Sequence, residues 1–291
     1  MRVLVTGCIG QVGSLLTKLL NEKVDLLALT RKELDISNEK LVKQTILDFN
    51  PDVVVNAAAY TAVDKAESEN ELAFMINRNG PKYLAKAASE IDAALIHIST
   101  DYVFEGNKPE PYVETDSVNP QGVYGESKLA GEIAVSKYCQ KHIILRTAWV
   151  FGEHGNNFVK TMLRLGKDRE ALSIVSDQFG GPTYAGDIAK TINKIVEKVE
   201  RNESLKWGIY HYSGTPHVSW FDFAQQVFIK AEQAGILENS PKLTAITTAE
   251  FPTPATRPAN SKLNCDAIKR EFEVSPSDWL SELDNIRNYV N

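Results

Sequence analysis

Short apolar runs alternate with amphipathic stretches through the first half of the chain, and this rhythm predicts its elements. Arg2–Thr6 reads as a buried strand, followed by a glycine turn and an apolar-periodic helix over Ser14–Leu20. Val24–Leu29 is a second strand, Asn38–Phe49 a helix, and Asp52–Asn56 a third strand. A helical region spans about 64–90, Ala94–Ile98 is a fourth strand, a helix runs from Tyr124 to about Tyr138, and His142–Thr147 is a fifth strand. Strand and helix alternate without a break, which predicts an α/β fold of the Rossmann type: a doubly wound parallel sheet.

Beyond residue 150 the rhythm loosens. Helices are expected over Asn157–Leu165, Asp187–Glu200, Ser219–Gln233 and Ser277–Tyr289, with Ser219-Trp220-Phe221-Asp222 as a capping box for the third. Leu172–Val175, Gly208–Tyr212 and Lys242–Ile246 read as strands, and 239–264 as a loop-rich, proline-containing segment. The expected division is a dinucleotide-binding Rossmann domain over 1–150, joined by part of 176–215, and a smaller α/β substrate lobe made mainly from 151–291.

Composition narrows the class. At 291 residues and 43% hydrophobic, the chain can bury a substantial core. Net charge is −6 with no basic run, so neither nucleic acid nor an anionic membrane is an expected partner. Cys8, Cys139 and Cys265 lie far apart and form no metal or disulfide pattern. A strand beginning at residue 2 and the lack of a long apolar run predict a cytoplasmic protein with no signal peptide.

The chemistry gathers at strand ends. Gly7-Cys8-Ile9-Gly10-Gln11-Val12-Gly13 stands between the first strand and helix, where glycines let backbone approach a pyrophosphate seated on the helix N-terminus. The spacing is G-x-x-G-x-x-G, a variant of the usual dinucleotide fingerprint. Where an NAD site would place a carboxylate after the second strand, Thr30-Arg31-Lys32 stands instead, favouring the 2′-phosphate of NADPH over NADH, with a solvated basic turn as the plainer reading. Asp35 and Ile36 are candidates for lining the adenine. Ala57-Ala58-Ala59-Tyr60-Thr61 follows the third strand, where small residues let a ligand lie against the backbone, or simply let helix pack on strand. Tyr124 and Lys128 are four apart, so a helix stacks them on one face, where an ammonium would lower the phenol's pKa. With ten tyrosines in the chain, that pair gains meaning only from its place after the fourth strand.

Taken with Ser99–Gly106 (STDYVFEG), Asn56–Glu69 (NAAAYTAVDKAESE), Tyr124–Glu132 (YGESKLAGE), Arg146–Gly152, Gln178–Thr183 and Arg257–Ser261, these motifs resemble the extended short-chain dehydrogenase/reductase family over nearly the whole length, and most nearly its sugar-nucleotide reductases. The resemblance implies hydride transfer from NADPH (or NADH) to the C4 ketone of dTDP-4-dehydro-6-deoxy-L-mannose, giving dTDP-L-rhamnose. It implies Tyr124 as general acid, Lys128 on the nicotinamide ribose and Thr100 as a second hydrogen-bond donor to the reacting oxygen. It further implies Asp101, Val103 and Trp149 around the sugar, Arg257 on the substrate pyrophosphate and Asn157 on its nucleotide part. Tyr60 replaces a His common among such reductases, and its backbone is expected to serve the cofactor. Some members are magnesium-linked homodimers, so a homodimer with Mg2+ is a possible assembly to which no residue here is assigned. Three other readings stay open: a 4,6-dehydratase, disfavoured because Tyr102 stands where that family has Glu; a 4-epimerase; and a non-catalytic, dinucleotide-binding regulatory subunit like that of methionine adenosyltransferase.

Overall fold

The computed structural model describes residues 1–290. Its centre is a six-stranded, all-parallel sheet in the order Asp25–Leu29, Arg2–Thr6, Val53–Asn56, Ala94–Thr100, His142–Thr147 and Gly208–His211. In chain order the elements are β1 (Arg2–Thr6), α1 (Gln11–Leu20), β2 (Asp25–Leu29), α2 (Glu39–Phe49), β3 (Val53–Asn56), α3 (Val63–Ala66), α4 (Asn70–Phe74), a π-helical turn (Met75–Asn79), α5 (Gly80–Glu90) and β4 (Ala94–Thr100). There follow α6 (Val123–Tyr138), β5 (His142–Thr147), β6 (Val150–Phe151), α7 (Phe158–Asp168), β7 (Ala171–Val175), β8 (Phe179–Gly180), β9 (Thr183–Tyr184), α8 (Ala185–Glu200) and β10 (Gly208–His211).

The strands form where they do because both faces of the sheet are covered and successive residues serve opposite faces. Val3 and Val5 of β1, Val53 and Val55 of β3, Ala94 and Ile96 of β4, and Ile143 and Leu145 of β5 pack under α1 and α8. Leu4, Val54, Leu95 and Ile144 point the other way, into the core beneath α2, α5 and α6. The chain leaves β1 for β2 on one side and crosses back to β3 on the other, so β1 and β3 flank the switch point where such sheets open a crevice at their C-terminal ends.

The rest of the chain builds a second cluster around Phe151, Tyr184, Phe223, Phe228, Trp279 and Tyr289. The remaining elements are β11 (Gly214–Thr215), β12 (Val218–Ser219), α9 (Trp220–Gln233), β13 (Lys242–Ile246), β14 (Asn260–Ser261), α10 (Asp266–Phe272), which packs Ile268 and Phe272 into the sheet core, β15 (Ser277–Asp278), α11 (Trp279–Glu282) and a 3₁₀ segment (Leu283–Tyr289). The Ser219–Asp222 capping box is present in full. The single helix expected over Ser277–Tyr289 is not. Ser277 pairs with Gly214 and donates to Asp187, Trp279 is buried with its indole N–H on the Pro216 carbonyl, and Asn285 leaves helical geometry. Tertiary anchors fix these residues one by one and break the periodic pattern. No helix is long and apolar enough to cross a membrane among the described residues.

Candidate active site

A cleft of about 630 Å³ opens at the switch point. It is lined by Gly7, Gly10, Gln11, Val12, Arg31, Asp35, Ile36, Ala59, Thr61, Thr100, Asp101, Tyr124, Lys128 and Trp149 among the expected residues. Ala57 and Ala58 of the small-residue stretch line it too, as do Leu34, Tyr102 and Thr147, which the sequence did not single out as site residues.

The floor at one end is the glycine turn. Gly7 has φ +70°, and a Cβ there would sit 2.7 Å from the Ala58 nitrogen, so only glycine lets β1 turn against the end of β3. A Cβ on Gly13 would meet the Gly7 carbonyl oxygen at 2.1 Å, so this third glycine packs helix on loop and does not line the cleft. No side chain caps α1, whose N-terminus therefore presents backbone N–H groups to the cleft with the positive end of its dipole. That cradle, the uncapped helix and the small residues Ala57–Ala59 fit a dinucleotide pyrophosphate. Arg31 is exposed and only loosely paired, with Nε 3.7 Å from Asp35, which leaves its guanidinium available to a phosphate.

At the other end three consecutive features of β4 and α6 meet. Thr100 closes β4, its hydroxyl donating to the Asp101 carboxylate at 3.1 Å. Tyr124, in the first turn of α6, lies edge-on to Tyr102 with ring centroids 5.4 Å apart. Lys128, one turn on, is buried and donates through Nζ to the Ile98 carbonyl at 2.6 Å. The expected direct effect of the ammonium on the phenol is not seen. Burial pushes the Tyr124 phenol up to about 12, a bond with Thr100 opposes that rise, and Asp101 adds to it, while Lys128 is committed to β4. Burial in turn lowers the Lys128 ammonium to about 8, with Glu132 holding it up. Asp101 is raised to about 6 by burial against its hydrogen bonds.

Trp149 forms the wall toward the second lobe. One face of its indole stacks on Trp220 at 3.5 Å between centroids, and Gly180 presses so close to the ring that a Cβ there would lie 2.5 Å from it. Its φ of +50° is unusual for a bulky side chain and is held by that sandwich.

Besides Gly13, four expected residues are placed elsewhere. Tyr60 does not line the cleft: Asn77 accepts from its backbone N–H at 2.8 Å and donates to its carbonyl at 3.0 Å, and its phenol donates to Glu69. Its main chain is therefore committed. Val103 is fully buried with Phe104, Tyr112, Ala148 and Leu263. Asn157 caps α7, accepting from the Lys160 N–H and donating to Gln11 and the Gly152 carbonyl, so its amide is used within the protein. Arg257 does not line the cleft and holds the two oxygens of Asp64 with Nη1 and Nη2, at 3.0 and 2.9 Å. Asn77 itself was missed; it sits in the π-helical turn and also donates to Ser127 of α6, a role no spacing rule announces. Among the described residues no group of three or more His, Cys, Asp or Glu side chains could hold a metal ion.

Residues 1–290 match the family model described as the RmlD substrate binding domain. The dTDP-4-dehydrorhamnose reductase of Aggregatibacter actinomycetemcomitans is 52% identical, over 99% of both chains. That of Escherichia coli K12 is 46% identical, over 96% of this chain and 94% of its own. Among solved structures, a dTDP-4-dehydrorhamnose reductase from Clostridium acetobutylicum superposes with a TM-score of 0.90 at 40% identity, covering 99% of both chains. One from Bacillus anthracis, in complex with NADP, gives 0.91 at 39% identity, covering 98% of both.

Proposed function

The chain belongs to the RmlD substrate binding domain family, and from that premise we propose that it is the reductase that uses NADPH to turn dTDP-4-dehydro-6-deoxy-L-mannose into dTDP-L-rhamnose. The observation that carries the reading is the convergence of Thr100, Tyr124 and Lys128 on the same cleft as the glycine turn.

When bound, the nicotinamide cofactor supplies a hydride to the C4 carbonyl. Its pyrophosphate would rest on the N–H groups of Gln11 and Val12 at the start of α1, its 2′-phosphate beside Arg31, and its adenine end against Asp35 and Ile36. Ala59 and Thr61 would bound the middle of the cleft.

Tyr124 keeps its proton at neutral pH, as a general acid must, because burial disfavours the phenolate. As negative charge grows on the C4 oxygen, the phenol delivers its proton there, and the Thr100 hydroxyl, turned from Asp101 onto the substrate, would donate a second hydrogen bond to the same atom. Lys128, anchored on the Ile98 carbonyl one helical turn from the phenol, would hold the nicotinamide ribose with its remaining ammonium donors. Asp101 and Trp149 would border the sugar, and Arg257 would meet the substrate diphosphate by sharing or exchanging its Asp64 partner.

The test is NADPH oxidation by purified protein with the 4-keto sugar nucleotide, beside Tyr124→Phe. The expected result is dTDP-L-rhamnose from the parent and a fall in kcat of about 10²–10⁴-fold in the variant, with NADPH still bound. A variant that turns over like the parent would remove Tyr124 from the mechanism. A parent that binds NADPH and never oxidises it would remove the reductase reading and favour a regulatory, dinucleotide-binding role.

A further inference from the structure

Helix α6 meets β4 through three polar rungs, and only two of them belong to the mechanism above. Tyr124, Lys128 and Glu132 are spaced i, i+4, i+8 on one face. Opposite them stand three consecutive residues of β4. Thr100 stands by the Tyr124 phenol at the mouth of the cleft, and the Ile98 carbonyl receives Lys128. The Ser99 hydroxyl donates to Glu132 Oε1 at 2.5 Å. The third rung is further clamped by Arg146 of β5, whose Nε lies 2.9 Å from Oε1 and whose Nη2 lies 2.7 Å from Oε2. Ser99, Lys128, Glu132 and Arg146 are each 2–3% exposed.

A buried ion pair is a costly way to hold a helix on a sheet, since apolar residues of similar volume often stabilise as well or better. The charges at this position therefore call for a role that apolar packing could not fill. We propose that Glu132, clamped by Arg146 and hydrogen-bonded to Ser99, is a positioning residue that sets the register of α6 on β4 and places a counter-charge beneath the Lys128 ammonium. Because Ser99 lies between the carbonyl that holds Lys128 and the hydroxyl of Thr100, a shift of the third rung displaces both of the others. The proposal rests on the reading of Tyr124, Lys128 and Thr100 as the reacting set.

The groups that face Lys128 make the electrical side of the argument specific. On its own helix are the protonated phenol of Tyr124 and the carboxylate of Glu132. From β4 comes His97, fully buried and kept neutral by burial and by Lys128, its Nδ1 facing the Asn56 amide at 2.9 Å. After β4 comes Asp101, which lines the same cleft, and from β5 Arg146, which holds Glu132. Glu132 is thus the anion that keeps a buried ammonium charged near neutral pH, and without it Lys128 would lose its proton at lower pH.

Two variants separate register from charge. Ser99→Ala breaks the link to β4 and leaves the ion pair whole. Glu132→Gln keeps the shape and removes the charge; should the stranded Arg146 prevent folding, Glu132→Gln with Arg146→Met removes both charges and carries the same expectation. For each, NADPH affinity and kcat are followed from pH ~6 to ~10, with thermal melting alongside. Ser99→Ala is expected to lower kcat about ten-fold, with the basic limb of both profiles unmoved. Glu132→Gln is expected to move that limb in both profiles about one unit to lower pH, a ten-fold change in the proton equilibrium. A lowered melting temperature with kcat within about two-fold of the parent and unmoved limbs would show Glu132 to be purely structural and overturn the proposal. A parent without turnover would sink the reductase reading, while the NADPH-affinity profiles would still decide for or against the role of Glu132.

Discussion

Asp101 shows how a single buried group ties stability to pH. It lines the cleft beside Thr100, almost fully buried, with its carboxyl raised from 3.8 to about 6. A raised folded-state pKa means that the folded chain binds more protons than the unfolded one between those two values, so this group's stabilising contribution is whole below about pH 4 and is lost as pH rises through about 6. Asp101→Asn removes the titration. Its stability relative to the parent is expected to rise by roughly 2–3 kcal/mol between pH 4 and 7, read from denaturant melts at both pH values. A difference that stays constant with pH would show that folding leaves the Asp101 pKa unraised.

At the scale of elements, α6 depends on its glycines as much as on its polar face. A Cβ on Gly131 would lie 2.2 Å from the Asn77 carbonyl in the π-helical turn, and one on Gly125 at 2.2 Å from the Tyr102 carbonyl. In an open helix Gly→Ala gains about 1 kcal/mol. Gly131→Ala is expected instead to cost about 1–2 kcal/mol in urea unfolding, because α6 must back away from Asn77. An unchanged or raised midpoint would mean that the turn yields freely.

The same element shows what the sequence made legible. The apolar runs located all five early strands because each sends side chains into both cores, those of the edge strand β2 only half-buried, and the Tyr124–Lys128 spacing put both residues on one side of α6. The glycine turn and Arg31 were readable because phosphate chemistry has a compact local pattern. Partners across the fold were not. Glu132 stood in a recognised motif, yet its tie to Ser99 and Arg146 needed β4 and β5 side by side. Asn77 holding the main chain of Tyr60, Asp64 holding Arg257 and Gln11 holding Asn157 are likewise pairings between residues 17 to 193 apart, which no local period encodes.

For the whole molecule, the cleft is where the sheet and the second lobe meet. The sheet supplies the glycine turn, Thr100 and the polar face of α6. The second lobe supplies Trp220 and Gly180, which together fix Trp149 as the far wall. A cofactor bound along the strand ends and a sugar nucleotide against Trp149 would bring C4 between the nicotinamide and Tyr124. The most direct test of this arrangement is to follow deuterium from NADPH labelled at nicotinamide C4 into the sugar. The account predicts dTDP-L-rhamnose carrying one deuterium at C4 from one face of the nicotinamide only, with none incorporated in Tyr124→Phe over the same time. Oxidised cofactor without deuterium at C4 of the product would contradict it.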